Sequence, residues 1–166
     1  PHTDNVPNIQ IHLSTTTTNA DHMSATFSKN IGTNDTIAYS GAMIASTSFT
    51  TLTNGTKEFD ISLPLQTPFS FDPSKGNLLV DIRNFTGGSA NLYINAVGTS
   101  TDAVSRVFSA DPNATSATAS DTGGAALQLS YFPALVPPTI SSQPTNRSIT
   151  AGSSTTVTVV AGPAPL

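Results

Sequence analysis

The chain has no cysteine and no tryptophan, and its single glutamate is Glu58. Without cysteine there is no disulfide framework, no structural zinc held by thiolates and no thiol nucleophile. Charge is also scarce: Asp, Glu, Lys and Arg make up 10% of 166 residues, against roughly a quarter in ordinary soluble domains. The six basic residues, Lys29, Lys57, Lys75, Arg83, Arg106 and Arg147, stand singly in a protein of net charge −4. Nucleic-acid binding needs a basic stripe to neutralise phosphates, so that partner is rejected, and the same scarcity of basic residues argues against binding to anionic membranes. No 18-residue apolar run is present, so membrane insertion is not expected. No signal-peptide pattern follows Pro1, so an export signal would be removed or lie upstream.

Ser and Thr fill the polar positions that charge leaves open. Together with Val and Ile they favour strands, where β-branched side chains pack well on a pleated surface. Ile9, Ile11 and Leu13 alternate with Gln10 and His12 and place one apolar face on a first strand. Met23, Phe27 and Ile31 are four apart, which allows one short helix near 21–31 with Asp21 in its first turn. A strand over Thr36–Ser46 bends at Gly41, and Asn54-Gly55 is the strongest hairpin signal in the sequence. Phe59, Ile61 and Leu63 then alternate, and Pro64 and Pro68 stop that strand. Asp72-Pro73-Ser74-Lys75-Gly76 makes a turn into Leu78–Arg83, the most apolar strand, which is expected at the centre of a sheet. Gly87-Gly88 turns the backbone into Asn91–Val97. Further strands are expected at Val104–Phe108 and Ala126–Phe132, with a small-residue loop over Ala110–Gly124 between them. This succession of strands and turns predicts an all-β, antiparallel β-sandwich or jelly roll.

Three segments follow from the composition: a β-sandwich over 1–132, a Pro-rich linker over 133–138, and a final segment over 139–166. In the last, Pro137-Pro138-Thr139-Ile140, Gln143-Pro144, Gly152 and the Val157–Ala161 run occur in the order seen at the start of bacterial immunoglobulin-like repeats. The segment resembles such a repeat, cut before the core tryptophan that the family carries. The larger part resembles β-sandwich modules of large exported proteins from environmental bacteria. The residues that carry this are Ile9-Gln10-Ile11-His12-Leu13-Ser14-Thr15, Phe27-Ser28-Lys29-Asn30, and Pro68-Phe69 through Gly76-Asn77-Leu78-Leu79-Val80-Asp81 to Arg83. The resemblance implies a secreted or cell-surface location and a further strand before Ile9, so the sheet is expected to be incomplete or to borrow a strand.

Candidate chemistry is thin. Glu58 and Asp60 would share one side of a strand, the arrangement of a carboxylate pair for glycoside hydrolysis, but Glu58 beside Lys57 reads as a solvated strand start. His2, His12 and His22 read as surface imidazoles, and no Gly-x-Ser-x-Gly elbow marks a nucleophile. No cofactor is expected beyond a structural Ca²⁺, for which the loop acids Asp72, Asp102, Asp111 and Asp121 are the candidate ligands; the competing role for each is turn-making. Tyr93 flanked by Asn91 and Asn95, or Tyr39 and Tyr131, could form a shallow glycan platform. Five Asn-x-Ser/Thr sequons, at Asn34, Asn54, Asn84, Asn113 and Asn146, are expected by chance in so Ser/Thr-rich a sequence. The reading that follows is a non-catalytic structural or adhesive module whose partners are other domains of its polypeptide or neighbouring copies. A carbohydrate-binding module is the alternative.

Overall fold

The structure is a computed structural model that describes residues 2–48, 50–53, 57–86, 96–98, 100, 102–133 and 139–162. The protein is all-β and antiparallel. It divides into two compact units, Pro1–Gln128 and Leu129–Leu166.

The first unit is built on a sheet of three strands, β1 (His2–Thr16), β2 (Thr36–Thr47) and β3 (Asn77–Asn84), in the order β2-β1-β3. The centre of this sheet is therefore β1, and the apolar β3 expected there lies at its edge among the described residues. Apolar content misleads because β1 reaches the centre with a mixed sequence. Val6, Ile9 and Leu13 give it a buried apolar face, and burying one such aliphatic side chain is worth about 1.5–3 kcal/mol. The opposite, polar face is buried as well: His12, Ser14 and Thr16 are all within the interior.

Two irregularities shape β1 and β2. Between Val6 and Ile9, Pro7 and Asn8 face Ala42 alone. Proline cannot donate to a ladder, and the bulge falls where β1 has β2 but not yet β3 beside it. The carbonyl of Asn8 accepts from the Phe85 amide at 2.9 Å, and the Asn8 amide donates to the Thr86 hydroxyl at 2.9 Å. Between Ile11 and His12 the extra residue belongs to β2 and is Ala38, which is fully buried. Gly41 has φ of +155°, a value that favours glycine, inside a continuous strand.

The stretch after β1 holds no α-helix. Its one helical piece is a 3₁₀ turn at Phe27–Lys29. Asn30 explains this: its side chain accepts from the Ser24 amide and donates to the Ser24 carbonyl, both at 2.8 Å, and closes the loop locally. The expected 72–76 turn is a 3₁₀ turn at Pro73–Lys75, with the Asp72 carboxylate accepting from the Ser74 amide at 3.0 Å. Gly76 ends it at φ +149°, where an added Cβ would stand 2.4 Å from the Thr16 carbonyl oxygen.

Smaller pairs complete the unit: β4 (Ala96–Gly98) with β7 (Gly123–Ala125), and β5 (Arg106–Phe108) with β6 (Ala119–Asp121). Thus 110–124 is not wholly a loop. The Ala126–Phe132 strand is absent, its place taken by β7 immediately before. Residues 58–63 are also not a strand. The turn at Gly87-Gly88, most of the Asn91–Val97 strand, the Asn54-Gly55 hairpin turn and most of the 133–138 linker lie outside the described residues. In the second unit β8 (Ile140–Ser142) pairs with β9 (Val160–Ala161), a shorter strand than the valine run suggests.

Candidate functional site

The densest polar group of the first unit sits on one face of the sheet. Cross-strand partners share a face, so the pairs Gln10–Arg83 and His12–Asp81 place four polar side chains together. Asp35, in the loop leading to β2, adds a fifth. The His12 Nδ1 lies 3.0 Å from Asp35 Oδ2, and its Nε2 lies 3.4 Å from the Gln10 amide oxygen. Arg83 donates twice to Asp81 Oδ2, at 2.9 and 2.6 Å. This hydrogen bond first, and the charges of Asp81 and Asp35 after it, hold the Arg83 guanidinium further into its charged form, against partial burial.

The arrangement is one of positioning. A carboxylate on Nδ1 orients an imidazole as in general-base catalysis. Here the second ring nitrogen meets the Gln10 amide oxygen, not a hydroxyl. Ser14, the next residue on that face, accepts the Gly32 amide at 3.2 Å. Asn34 accepts the Thr15 amide at 2.8 Å and donates to the Thr15 hydroxyl at 3.0 Å. The last described β1–β2 partners are Leu13 and Thr36, so loop 30–35 takes over the side of β1 beyond them. His12, Ser14 and Thr15 are its three anchor points. His12 is thus a buried anchor and not the surface imidazole expected. The missed signal was the alternation of Gln10, His12 and Ser14, matched by Asp81 and Arg83 two apart on another strand.

The acids considered for calcium each serve their own neighbourhood. Asp72 accepts the Ser74 hydroxyl at 2.6 Å and, with the Ser74 amide, is held below the usual carboxylate range. Asp102 accepts the Val104 amide at 3.0 Å, and Asp111 the Asn113 amide at 2.9 Å. Asp121 takes a two-pronged grip from its cross-strand partner Arg106, at 2.8 and 2.7 Å, which lowers its pKa. The same Arg106 guanidinium lies 4.8 Å from the centre of the Phe108 ring. Among the described residues no three His, Cys, Asp or Glu side chains gather as a metal site.

Asp60 accepts from the Thr47 hydroxyl and the Ser48 amide, both at 2.8 Å, and these bonds depress its pKa. A glycosidase acid needs the opposite shift. Tyr39 donates its hydroxyl to the Ala42 carbonyl. Tyr131 is 83% exposed and the adjoining Phe132 is 98% exposed. Tyr93, Asn91 and Asn95 lie outside the described residues. Among those residues no helix is long and apolar enough to cross a membrane.

The outer edge of β2 is answered by side chains. Gln66 accepts the Ser40 amide at 3.0 Å through its amide oxygen and donates to the Ser40 carbonyl at 3.2 Å. The backbone amides of Gln66 and Thr67 both reach the Ala38 carbonyl, at 2.7 and 3.1 Å. No family model, curated protein or solved structure matches the sequence.

Proposed function

We propose that this protein is a non-catalytic structural or adhesive module of a secreted or surface polypeptide, a two-layer β-sandwich that joins neighbouring copies by strand pairing. The observation that carries this reading is the asymmetry of the sheet's two edges. Gln66, Tyr39 and Asp60 occupy backbone groups along β2 and its end, whereas no described strand flanks β3 on the side away from β1. An unpaired edge presents alternating N–H and C=O groups to another molecule. Gln10 faces its outward-turned neighbour Ser40 without exchanging ladder bonds, so by the period of two Gln10–Arg83 is a bonded pair and Val80 and Ile82 turn their amides outward. The low charge and the immunoglobulin-like pattern after Pro137 support a place within a larger surface polypeptide.

Light scattering across a dilution series tests it. The wild type should show a concentration-dependent dimer, and Val80→Pro, which removes one outward amide, should be monomeric with an unchanged far-UV spectrum. A wild type that is monomeric at every concentration removes the pairing reading.

Tyr131 and Phe132 favour a second reading. Two adjacent exposed aromatic rings are the element a sugar's CH face stacks on. Retention on insoluble polysaccharide that is lost in Tyr131→Ala would select this carbohydrate-binding reading over the first.

A further inference from the structure

The segment after the second strand carries strand chemistry without being a strand. Phe59, Ile61 and Leu63 alternate with Glu58, Asp60 and Ser62. None of the six is in a described strand, yet the segment is tied to β2 at both ends. At its start Thr51 and Lys57 form an antiparallel bridge, the Glu58 amide donates to the Thr50 carbonyl at 3.1 Å, and Asp60 holds the Ser48 amide. At its far end Gln66 holds Ser40. It therefore runs antiparallel alongside β2.

The two anchors disagree in register. Ser48 to Ser40 is eight residues, whereas Asp60 to Gln66 is six. At about 3.3 Å per residue the segment is about 7 Å short of the strand it spans. The Asp60 carboxylate and the Gln66 side-chain amide take up the difference at Ser48 and Ser40, and the Gln66 and Thr67 backbone amides hold the Ala38 carbonyl beyond them. This is the physical reason the alternation does not become a ladder.

Extending the register of the Thr51–Lys57 and Thr50–Glu58 pairs sets Asp60 opposite Ser48, Ser62 opposite Ser46, Ile61 opposite Thr47 and Leu63 opposite Ala45. Ala45 is fully buried, and its strand neighbour Met43 pairs with buried Val6. Ile61 and Leu63 then join the face that carries Met43, Ala45 and buried Val6 together with the polar His2, Asp4 and Thr47, while Asp60 and Ser62 join the face of Thr3, Ser46 and Ser48. Ser40 and Ser48 both turn backbone groups outward, so by the period of two Ile44 and Ser46 do too. Their partners would be Pro64 and Ser62. Pro64 cannot donate, which ends the ladder at Leu63.

We propose that residues 58–63 are a strap that closes onto β2 as a fourth strand in this register, and that the clip at its far end, the Gln66 side chain on Ser40 with the Gln66 and Thr67 amides on Ala38, must release for it to close. Closure and clip exclude each other because the segment is too short for both. The inference goes beyond the module reading and does not depend on it: the strap concerns β2, the pairing surface β3.

The absence of cysteine makes disulfide trapping clean. Ala45→Cys with Leu63→Cys should form an intramolecular disulfide in redox buffer with an effective concentration about ten-fold above that of Met43→Cys with Leu63→Cys or Ile44→Cys with Leu63→Cys. Adding Gln66→Ala should raise it further. In the protein without introduced cysteines, hydrogen exchange should show the Asp60 and Ser62 amides slowed about ten-fold or more relative to Ile61, and slowed further by Gln66→Ala. This second measurement does not require the cysteine variants to fold. Faster trapping of residues 43 and 63, equal trapping of all pairs, or unprotected Asp60 and Ser62 amides in Gln66→Ala would each overturn the proposal.

Discussion

His12 Nδ1 and Asp35 Oδ2 are 3.0 Å apart, and the two residues belong to a central strand and a loop 23 positions further along the sequence. The side chain of His12 keeps 9% of its exposure and that of Asp35 33%. The pair fastens loop 30–35 across the polar face of the sheet.

Removing either partner should therefore cost more than a surface ion pair does. Asp35→Asn and His12→Ala are each expected to destabilise the first unit by about 1.5–3 kcal/mol in urea unfolding. The double variant should lose clearly less than the two single losses together. Additive losses would mean that the residues act separately.

The apolar face of β1 makes a larger demand. Leu13 is buried between Thr36 and Val80 on the flanking strands. Leu13→Ala should cost about 2–5 kcal/mol by thermal or urea unfolding. Leu52→Ala, at a position that is 44% exposed, should change stability by less than about 0.5 kcal/mol.

Close backbone approach fixes one glycine. A Cβ on Gly32 would stand 1.9 Å from the Thr15 carbonyl oxygen, whereas one on Gly98 would meet nothing within 4 Å. Gly32→Ala must push the loop off β1 and is expected to destabilise by more than about 2 kcal/mol, with Gly98→Ala within about 1 kcal/mol of wild type. Equal effects would contradict the packing described.

Three carboxyls contribute to the acid side of the stability profile. Asp60, Asp72 and Asp121 all have folded pKa values below the ordinary 3.8. A depressed folded value stabilises the folded state above the unfolded pKa, and that contribution is lost as pH falls through the folded value. Stability should thus decline as pH falls below about 4. The causes differ, and salt separates them. Asp60 is held by hydroxyls and a backbone amide, Asp121 first by the Arg106 guanidinium. NMR titration in 1 M salt should move the Asp121 pKa back toward its ordinary value and leave that of Asp60 nearly unchanged, because charge is screened over about 3 Å at that ionic strength.

The fold class was legible because it depends on composition and alternation, which Thr36–Ser46 and Leu78–Arg83 carry openly. The rank of the strands was not. A central strand is recognised by being apolar on both faces, and β1 fills one face with His12, Ser14 and Thr16, polar groups that become buried only when Asp35, Asn34 and Gly32 arrive from a loop. The first seven residues of β1 were hidden by Pro7 and Asp4, poor strand formers that a bulge and an edge position accommodate. The alternation at Phe59–Leu63 is plain in the residues, but a pattern does not reveal that its two anchors are set two residues apart. The polar cluster was invisible for a related reason: Gln10, His12, Asp35, Asp81 and Arg83 come from three separate stretches, and only strand register brings them together.

Gln66 imitates a peptide unit. Its amide oxygen and amide nitrogen meet the N–H and C=O of Ser40 as a neighbouring strand would. Replacement by glutamate keeps the acceptor and removes the donor, setting a charged oxygen against the Ser40 carbonyl. A side chain thus stands where the next strand's backbone would, and it helps set where this sheet stops.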